Sequence, residues 1–450
     1  YELNNKTVLQ GGIAMNFLDG GAYEYGTSKV AVNYGNLLLG SFTRNSTNSA
    51  TPAFGSWDTN VLPFPSLTPF SPTLGVGTSI NAFDPVNDGV APYDIAWNVG
   101  IQRELPYNMF LSAAYAANRA NRLPSQLNPI NQLAPQFLAQ YGSLLGQSIA
   151  SPAAIAAGIP IPYPNFVSDF GSSATVLQAL RPYPQYADIF NNFDETGSSL
   201  YNALQVQVEK RYTNGLSFLV SYNLSRMMSN TNSGFTSFAA RSLNKDNQKA
   251  EWSIDNNDQT HMINIAGTYE LPFGKGRPFL NRGGVVNAIL GGWQISPLLT
   301  YATGTPLFSG TGGPVYVNGD PLGNNCAPCN RANVVSTSNL QFSYNNVYKG
   351  LPVINKADFS DPGPWVLGNA PRVMGQLRNP FQLNENVALA KYFPLGERVK
   401  LKLEIEYFNV FNRVIFGGPD LNFEDSTFGQ VINSQANTQR QGQGHLAITF

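Results

Sequence analysis

Along much of the chain apolar and polar residues alternate with a period of two. The alternating segments run roughly 9–11 residues, the length a tilted β-strand needs to cross a bilayer. In 93–103, Tyr93, Ile95, Trp97, Val99 and Ile101 are apolar, while Asp94, Ala96, Asn98, Gly100 and Gln102 are small or polar. Pro106-Tyr107-Asn108 then turns the chain into Met109, Leu111, Ala113 and Tyr115, which predicts a hairpin. A second hairpin joins Leu204, Val206 and Val208 to Leu216, Phe218, Val220, Tyr222 and Leu224 through Thr213-Asn214-Gly215; Asn-Gly readily takes the positive φ that a tight turn needs. A third links Ile263, Ile265 and Tyr269 to Trp293, Ile295, Leu299 and Tyr301 by way of Pro272-Phe273-Gly274-Lys275-Gly276. The fourth starts with Leu383, Val387 and Leu389 and turns at Pro394-Leu395-Gly396. It returns through Val399, Leu401, Leu403, Ile405 and Tyr407, with Lys400, Lys402, Glu404 and Glu406 on the opposite face. Segments from Ile13 to Phe17 and from Val30 to Phe42 also read as strands, for a total of roughly ten to twelve.

The connections are unequal. Those near 106, 214, 274 and 395 are short, and the alternate ones (118–186, 227–256, 304–380 and 412–440) are long. Compact soluble domains rarely carry such long irregular loops, whereas short turns on one side and long loops on the other characterise outer-membrane barrels. The Ala-, Ile- and Pro-rich stretch from Ser151 to Pro164 suits a short helix within its loop. No repeat of roughly 20–50 residues is visible, which argues against a propeller or solenoid.

Composition narrows the choice. Only 12% of the 450 residues are charged while 42% are hydrophobic, and mean hydropathy is −0.17, so Asn, Gln, Ser, Thr and Gly fill the place of charge. A formal net charge of −1 argues against nucleic-acid binding, whose footprint is a basic excess. With 28 Phe and 21 Tyr, disorder is not expected. No run approaches the roughly 18 consecutive apolar residues of a helical membrane span. The chain starts at Tyr1 without a leader, which suggests a removed signal or a piece of something longer. Two fold classes survive: a membrane β-barrel and a large soluble all-β protein such as a sandwich. The strand lengths and loop asymmetry favour an all-β antiparallel transmembrane barrel. Tyr93, Trp97, Tyr107, Tyr115, Trp293 and Tyr301, at or near strand ends, then suit an aromatic girdle.

Several segments resemble the C-terminal barrel of TonB-dependent outer-membrane receptors, in particular the Oar-like group common in acidobacteria. They are Trp97-Asn98-Val99-Gly100-Ile101-Gln102-Arg103-Glu104-Leu105-Pro106, Tyr201-Asn202-Ala203-Leu204-Gln205-Val206, Asn214-Gly215-Leu216-Ser217-Phe218, Tyr269-Glu270-Leu271-Pro272-Phe273-Gly274, Gly291-Gly292-Trp293-Gln294-Ile295 and Phe408-Asn409-Val410-Phe411-Asn412-Arg413. Each is modest alone; their order, from about residue 90 to the C-terminus, is specific. Leu446, Ile448 and the terminal Phe450 share one face and resemble the C-terminal signal read by barrel-assembly machinery. The family's members are longer, with a plug and a barrel of about 22 strands, so the resemblance implies that residues 1–450 are the C-terminal part of a longer receptor. It further implies residence in the outer membrane of a Gram-negative bacterium, with loops at the cell surface. Contact with outer-membrane lipids and lipopolysaccharide follows, as does coupling to a TonB-type complex through a missing N-terminal region. Nutrient uptake is the function it implies; a structural or adhesive role, as in the Oar-like group, and a passive porin are the alternatives.

Candidate sites are few. Cys326 and Cys329 lie in the 304–380 loop, where a Cys-x-x-Cys pair in an oxidising compartment reads as a local disulfide; a zinc site would need two further ligands. Asp255 and Asp258, near His261 at a strand entry, supply oxygen ligands that calcium uses, or simply solvate the loop. His261 with Ser253 is a conceivable hydrolase pair, but no nucleophile elbow accompanies it, so no catalytic residue and no cofactor is expected. Arg226, Arg241, Lys245 and Lys249 surround the 227–256 loop and suit an anionic ligand or lipopolysaccharide phosphates, or a solvated loop. The loop aromatics Trp57, Tyr141, Phe170, Tyr348 and Trp365 can stack on a ligand or build the small cores that order long loops.

Overall fold

The computed structural model describes residues 1–17, 75–82, 90–125, 127–191, 194–231, 241–309, 313–324, 330–337, 340, 342–395, 399–432 and 435–449. Eleven strands form one continuous antiparallel path: β1 (Glu2–Asn4), β2 (Thr7–Phe17), β3 (Tyr93–Leu105), β4 (Met109–Ser125), β5 (Asp194–Thr213), β6 (Leu216–Ser229), β7 (His261–Glu270), β8 (Trp293–Ala302), β9 (Gln382–Pro394), β10 (Lys400–Phe408) and β11 (Gln441–Thr449). A two-residue strand, Ser253–Ile254, pairs with the end of β6. Neighbours in the sheet are neighbours in sequence throughout, an up-and-down meander. Among the described residues, β1 and β11 pair with no further strand along their outer edges. The segment from Val30 to Phe42 and Trp57 lie outside the described residues.

The alternation sets the register. On one face Ile13 sits beside Trp97, Leu204 beside Leu224, Ile265 beside Leu299, and Leu403 beside Leu446. On the other face Asn98, Gln205, Asn223 and Glu404 follow in the same way. The apolar face is open rather than packed: Ile13 is 79% exposed and Leu446 64%. In water such a band would be a severe liability; in lipid it is the face that must be apolar. Tyr269 and Trp293 mark its short-turn end, with Tyr93, Tyr222 and Tyr301 near the other.

Shear is visible in the hydrogen-bonded row Phe110–Glu209–Leu219–Ala266–Leu298–Asn386. Phe110 is one residue from the start of β4, whereas Asn386 is eight from the end of β9, five strands on. At about 3.3 Å per residue and about 4.8 Å per strand, that drift is a tilt of roughly 40°, inside the barrel range. Trp293 and Tyr301, eight residues apart on β8, then bracket a band roughly 20 Å high.

Turn chemistry explains the short connections. Asn214 (φ 52°) and Gly215 (φ 81°) form the two-residue loop between the paired Thr213 and Leu216, a type I′ geometry in which both positions need positive φ. Tyr107 and Asn108 take the same region between β3 and β4. The connection from β7 to β8 differs from the tight turn that Pro272–Gly276 suggests: it spans 271–292 and contains helix α1 (Gly284–Leu290). The apolar Val285, Val286, Ile289 and Leu290 are as compatible with a buried strand end as with a helix, so periodicity did not separate them. Strands β4 and β6 also run on to Ser125 and Ser229, beyond where the apolar alternation fades. Past the lipid band a ladder can continue without an apolar face, so the pattern fades before the strand ends.

An outward charge should therefore be costly and an inward one cheap. Val206→Arg is expected to lose about 2–4 kcal/mol of stability in bilayers, while the same change at its neighbour Gln207 stays within about 1 kcal/mol. Urea unfolding in lipid vesicles measures both; equal losses would contradict this assignment of faces.

Candidate functional site

The sheet has little core of its own. Buried apolar residues gather instead at its long-loop end, in two clusters. One unites Val315, Val317, Leu340, Ile354, Phe359 and Met374 of the β8–β9 loop with Leu421 and Phe428 of the β10–β11 loop. The other is built on the β4–β5 loop (Leu133, Leu145, Ile149, Phe166 and Val176) and reaches Leu322. The Pro152–Ala156 helix opens with Ser151 Oγ accepting from the Ala154 amide at 3.2 Å. Trp365 belongs to this second cluster's packing. It takes a strained φ of 63°, and its ring lies so close to Gly146 that a Cβ there would come within 2.8 Å of Cζ2. Tyr141 and Phe170 pack on the same cluster, while Tyr348 is 73% exposed and meets Phe416 edge-on at 5.4 Å.

Arginines tie the loops together. Arg372, 2% exposed, donates to Glu251 O (3.1 Å), Ser229 O (2.8 Å) and Ser229 Oγ (2.8 Å). Ser229 Oγ lies 2.5 Å from Asp255 Oδ2. Arg331 pairs with Glu251 at 2.5 Å, and Arg378 pairs with Asp258 at 2.7 Å while also donating to Gly304 O at 3.0 Å. Arg241 pairs with Asp188 at 2.6 Å and also donates to Asn324 O. Arg181 donates to Ala187 O and Gly323 O. Gln132 extends the stitching, donating to Asn324 Oδ1 at 2.7 Å and accepting from the Lys245 amide at 2.8 Å. Burial pushes the Arg372 guanidinium down to about 10, against the pull of Asp255 and Glu251, so it remains charged at neutral pH. Arg181 is lowered for the same reason.

Asp255 and Asp258 are both buried, and their oxygens are occupied by protein donors. Asp258 Oδ1 accepts from the Met227 amide at 2.7 Å, and Asp255 Oδ1 from the Asn257 amide at 2.8 Å. Among the described residues no group of three His, Cys, Asp or Glu is placed to hold a metal. Ser253 Oγ donates to Ile254 O, whereas His261 Nδ1 shares a bond of 2.9 Å with the Tyr222 hydroxyl, so these contacts do not join Ser253 to His261. The four basic residues separate: Arg241 is a buried staple, Lys245 is half-buried, Lys249 is exposed, and Arg226 stands exposed on the apolar face opposite Asn202. Cys326, Cys329 and Phe450 lie outside the described residues; Leu446 and Ile448 are on the exposed apolar face of β11.

Beside the cap, where the upper ends of β9, β10 and β11 meet, lies a cleft of about 580 Å³. Gln382, Asn384, Asn386, Asn437, Thr438 and Gln441 line it, with Phe408 and Ile415, and none of its lining residues is ionisable. Asn409 and Asn437 spend their amides on the Arg413 backbone, which fixes the wall. Arg413 in turn pairs with the buried Glu385 at 2.8 Å, and that bond raises its pKa. Such a site can offer hydrogen bonds and apolar contact to a neutral polar ligand. No acid–base or nucleophilic pair is present in it.

Residues 1–443 match the family described as outer membrane beta barrel domain, and the chain belongs to that family. No curated protein matches the sequence. Among solved structures, the outer membrane transporter YddB from Escherichia coli is similar at 8% identity and a TM-score of 0.37, over 83% of this chain and 34% of that one. The pyoverdine outer membrane receptor FpvA from Pseudomonas aeruginosa PAO1 is similar at 8% identity and a TM-score of 0.33, over 80% and 29%. The chain thus spans about a third of the length of these proteins. Function does not transfer across similarity this low.

Two tests follow for the cap. Arg372→Met removes the buried donors to Glu251 O, Ser229 O and Ser229 Oγ and the positive charge beside Asp255 and Glu251, and is expected to cost about 3 kcal/mol, opening the β8–β9 loop to limited proteolysis while the strands keep their amide protection. Arg372→Lys should fail almost as badly, since one ammonium cannot reproduce the fork; full rescue by lysine would contradict the geometry. Burial, together with the Asp169 carboxylate, pushes the Tyr163 phenol up to about 12. A raised acid pKa stabilises the fold below the ordinary phenol value near 10, and that contribution is lost as pH rises from about 10 through 12. Tyr163→Phe should remove this alkaline loss of cap protection; identical pH profiles for both proteins would count against it.

Proposed function

We propose that this outer-membrane β-barrel chain is the barrel portion of a TonB-dependent receptor of the Oar-like group, engaged in energy-coupled uptake of a nutrient. The carrying observation is the stitched cap with its uncharged, amide-lined cleft at the long-loop end of a sheared antiparallel sheet. On this reading the long loops face the cell exterior, the cleft contributes to capture of a neutral polar ligand, and transport depends on a plug and a TonB-type contact outside these residues. Leu446, Ile448 and Phe450 engage the barrel-assembly machinery, Arg226 meets lipopolysaccharide phosphates, and Cys326 and Cys329 form a loop disulfide. The proposed role needs no catalytic residue or cofactor here.

A structural or adhesive role is the second reading, favoured by the two cap cores, which make the loops a firm surface rather than a mobile gate. The two separate by uptake. Deleting the gene, or abolishing the energy-coupling complex, should each stop accumulation of the same labelled saccharide or peptide. Unchanged uptake of every nutrient tested, with loss of surface attachment, would replace import by adhesion.

A further inference from the structure

The strand residues that line the cleft beside the cap, Gln382, Asn384, Asn386, Phe408 and Gln441, stand on the polar face of the sheet, in alternation with Ala390, Glu404 and His445. From Asn384 a row of register partners crosses that face through Thr300, Asn264, Ser221, Gln207 and Ser112, and Gln102 continues it on β3. Every side chain in the row is a hydroxyl or an amide. Shear makes the row descend. Asn384 is the third residue of β9 from its long-loop end, whereas Gln102 lies three residues from the short-turn end of β3. The row therefore leads from the cleft to the opposite border of the wall. The row above it, through Gln382, Ala302, Met262, Asn223, Gln205 and Ala114, is also without charge. Charge returns on this face at Asp94 and Glu209, to either side of the two rows, and on β10 at Glu404 and Glu406.

Thr300 Oγ1 donates to Asn264 Oδ1 at 2.9 Å. Among the described residues the side chains of Asn384, Ser221 and Gln207 make no hydrogen bond, so their donors and acceptors are open to a ligand. Each amide or hydroxyl both donates and accepts, as does each hydroxyl of a sugar. An ionised ligand would find no counter-charge along the row, and a peptide brings charged termini. Phe408, 39% exposed, gives the cleft an aromatic ring. The negative face of such a ring attracts partly positive C–H groups, which a pyranose carries on its faces. Neighbouring members of the row stand about 4.8 Å apart, close to the length that one sugar adds to an extended chain.

We propose that the ligand is a neutral oligosaccharide, held at the cleft by Phe408 and the surrounding amides and led along this row. The inference rests on the uptake reading and deepens it by naming the substrate class. The test uses the full natural polypeptide in tetraethylene glycol monooctyl ether, a detergent without a sugar head group, and reads binding by native mass spectrometry. The probes are cellohexaose, maltohexaose, xylohexaose and mannohexaose, with hexagalacturonate and a zwitterionic hexapeptide as charged counterparts. At least one neutral hexaose should bind about tenfold tighter than either charged probe, and about tenfold tighter than its own trisaccharide, which reaches less of the row. Phe408→Ala should weaken that hexaose about tenfold, and Asn384→Leu, which keeps the volume, should do the same to about the same degree. Ser221→Ala with Thr300→Val should weaken the hexaose more than the trisaccharide, a difference that general loosening of the wall would not make. Should a variant not fold, the ranking of probes on the unaltered protein decides alone. Binding of no neutral hexaose, tighter binding of hexagalacturonate or the hexapeptide, or unchanged affinity in the Phe408 and Asn384 variants would overturn the saccharide assignment. Failure of the uptake reading looks different: the hexaose would still bind, but its accumulation in cells would not change when the energy-coupling complex is abolished.

Discussion

Backbone hydrogen bonding in a medium without water is the constraint on which the rest of this molecule depends. An unpaired amide or carbonyl in hydrocarbon costs several kcal/mol, so each spanning segment must give both its edges to neighbours. Among the described residues the meander does this for β2 to β10 by pairing strands in chain order, with short turns on one side apart from the β7–β8 connection. Once the ladder is fixed, each strand has one face for lipid and one for whatever lies behind it. The usual arrangement of a protein is then inverted: Leu446 and Ile13 point outward, while Gln205 and Glu404 line the opposite face.

A sheet with its apolar side turned to lipid has no interior in which to anchor loops. The loops supply their own, and the chain's low charge content shapes how. Within the described loops, several arginines are committed to carboxylates or carbonyls of a different loop, as with Arg331 and Glu251 or Arg241 and Asp188. Desolvation makes such pairs costly to form and costlier to leave half-made, so they favour one arrangement of three long loops over many near-equivalent ones. The apolar clusters contribute cohesion; the arginines fix which loop lies against which. The amide-lined cleft sits beside this charged scaffold but excludes charge from its own wall, which separates the groups that hold the shape from those that face solvent.

The sheet was legible because its constraint is local. The contrast between Lys400, Lys402, Glu404, Glu406 and the apolar Leu401, Leu403, Ile405, Tyr407 states strand, face and register within one segment, and Asn214-Gly215 states its turn. Helix α1 was not legible, because seven mainly apolar residues between turns carry no period that separates helix from strand. The cap was not legible for a different reason. Arg372 meets Ser229 across 143 positions and Gln132 meets Asn324 across 192, and no feature near any of these residues names its partner. Asp255 and Asp258 show the same limit: two acids at a strand entry are compatible with an ion, with solvent and with buried staples, and only the placement of Arg372, Ser229 and Arg378 decides among these.

Those long sequence separations have a kinetic meaning. Closing a loop of that length costs entropy before any contact rewards it, whereas each hairpin of the sheet closes over a few residues, apart from the β7–β8 connection. The order of events is therefore dictated by the wiring: the strands that carry the loop ends must first be brought side by side, and only then do Arg372, Arg378 and Arg413 find their partners at little further cost. The cap is in this sense a record of completed strand pairing, since a slip in register among β6 to β9, whose loops carry the two residues, would part Glu251 from Arg331.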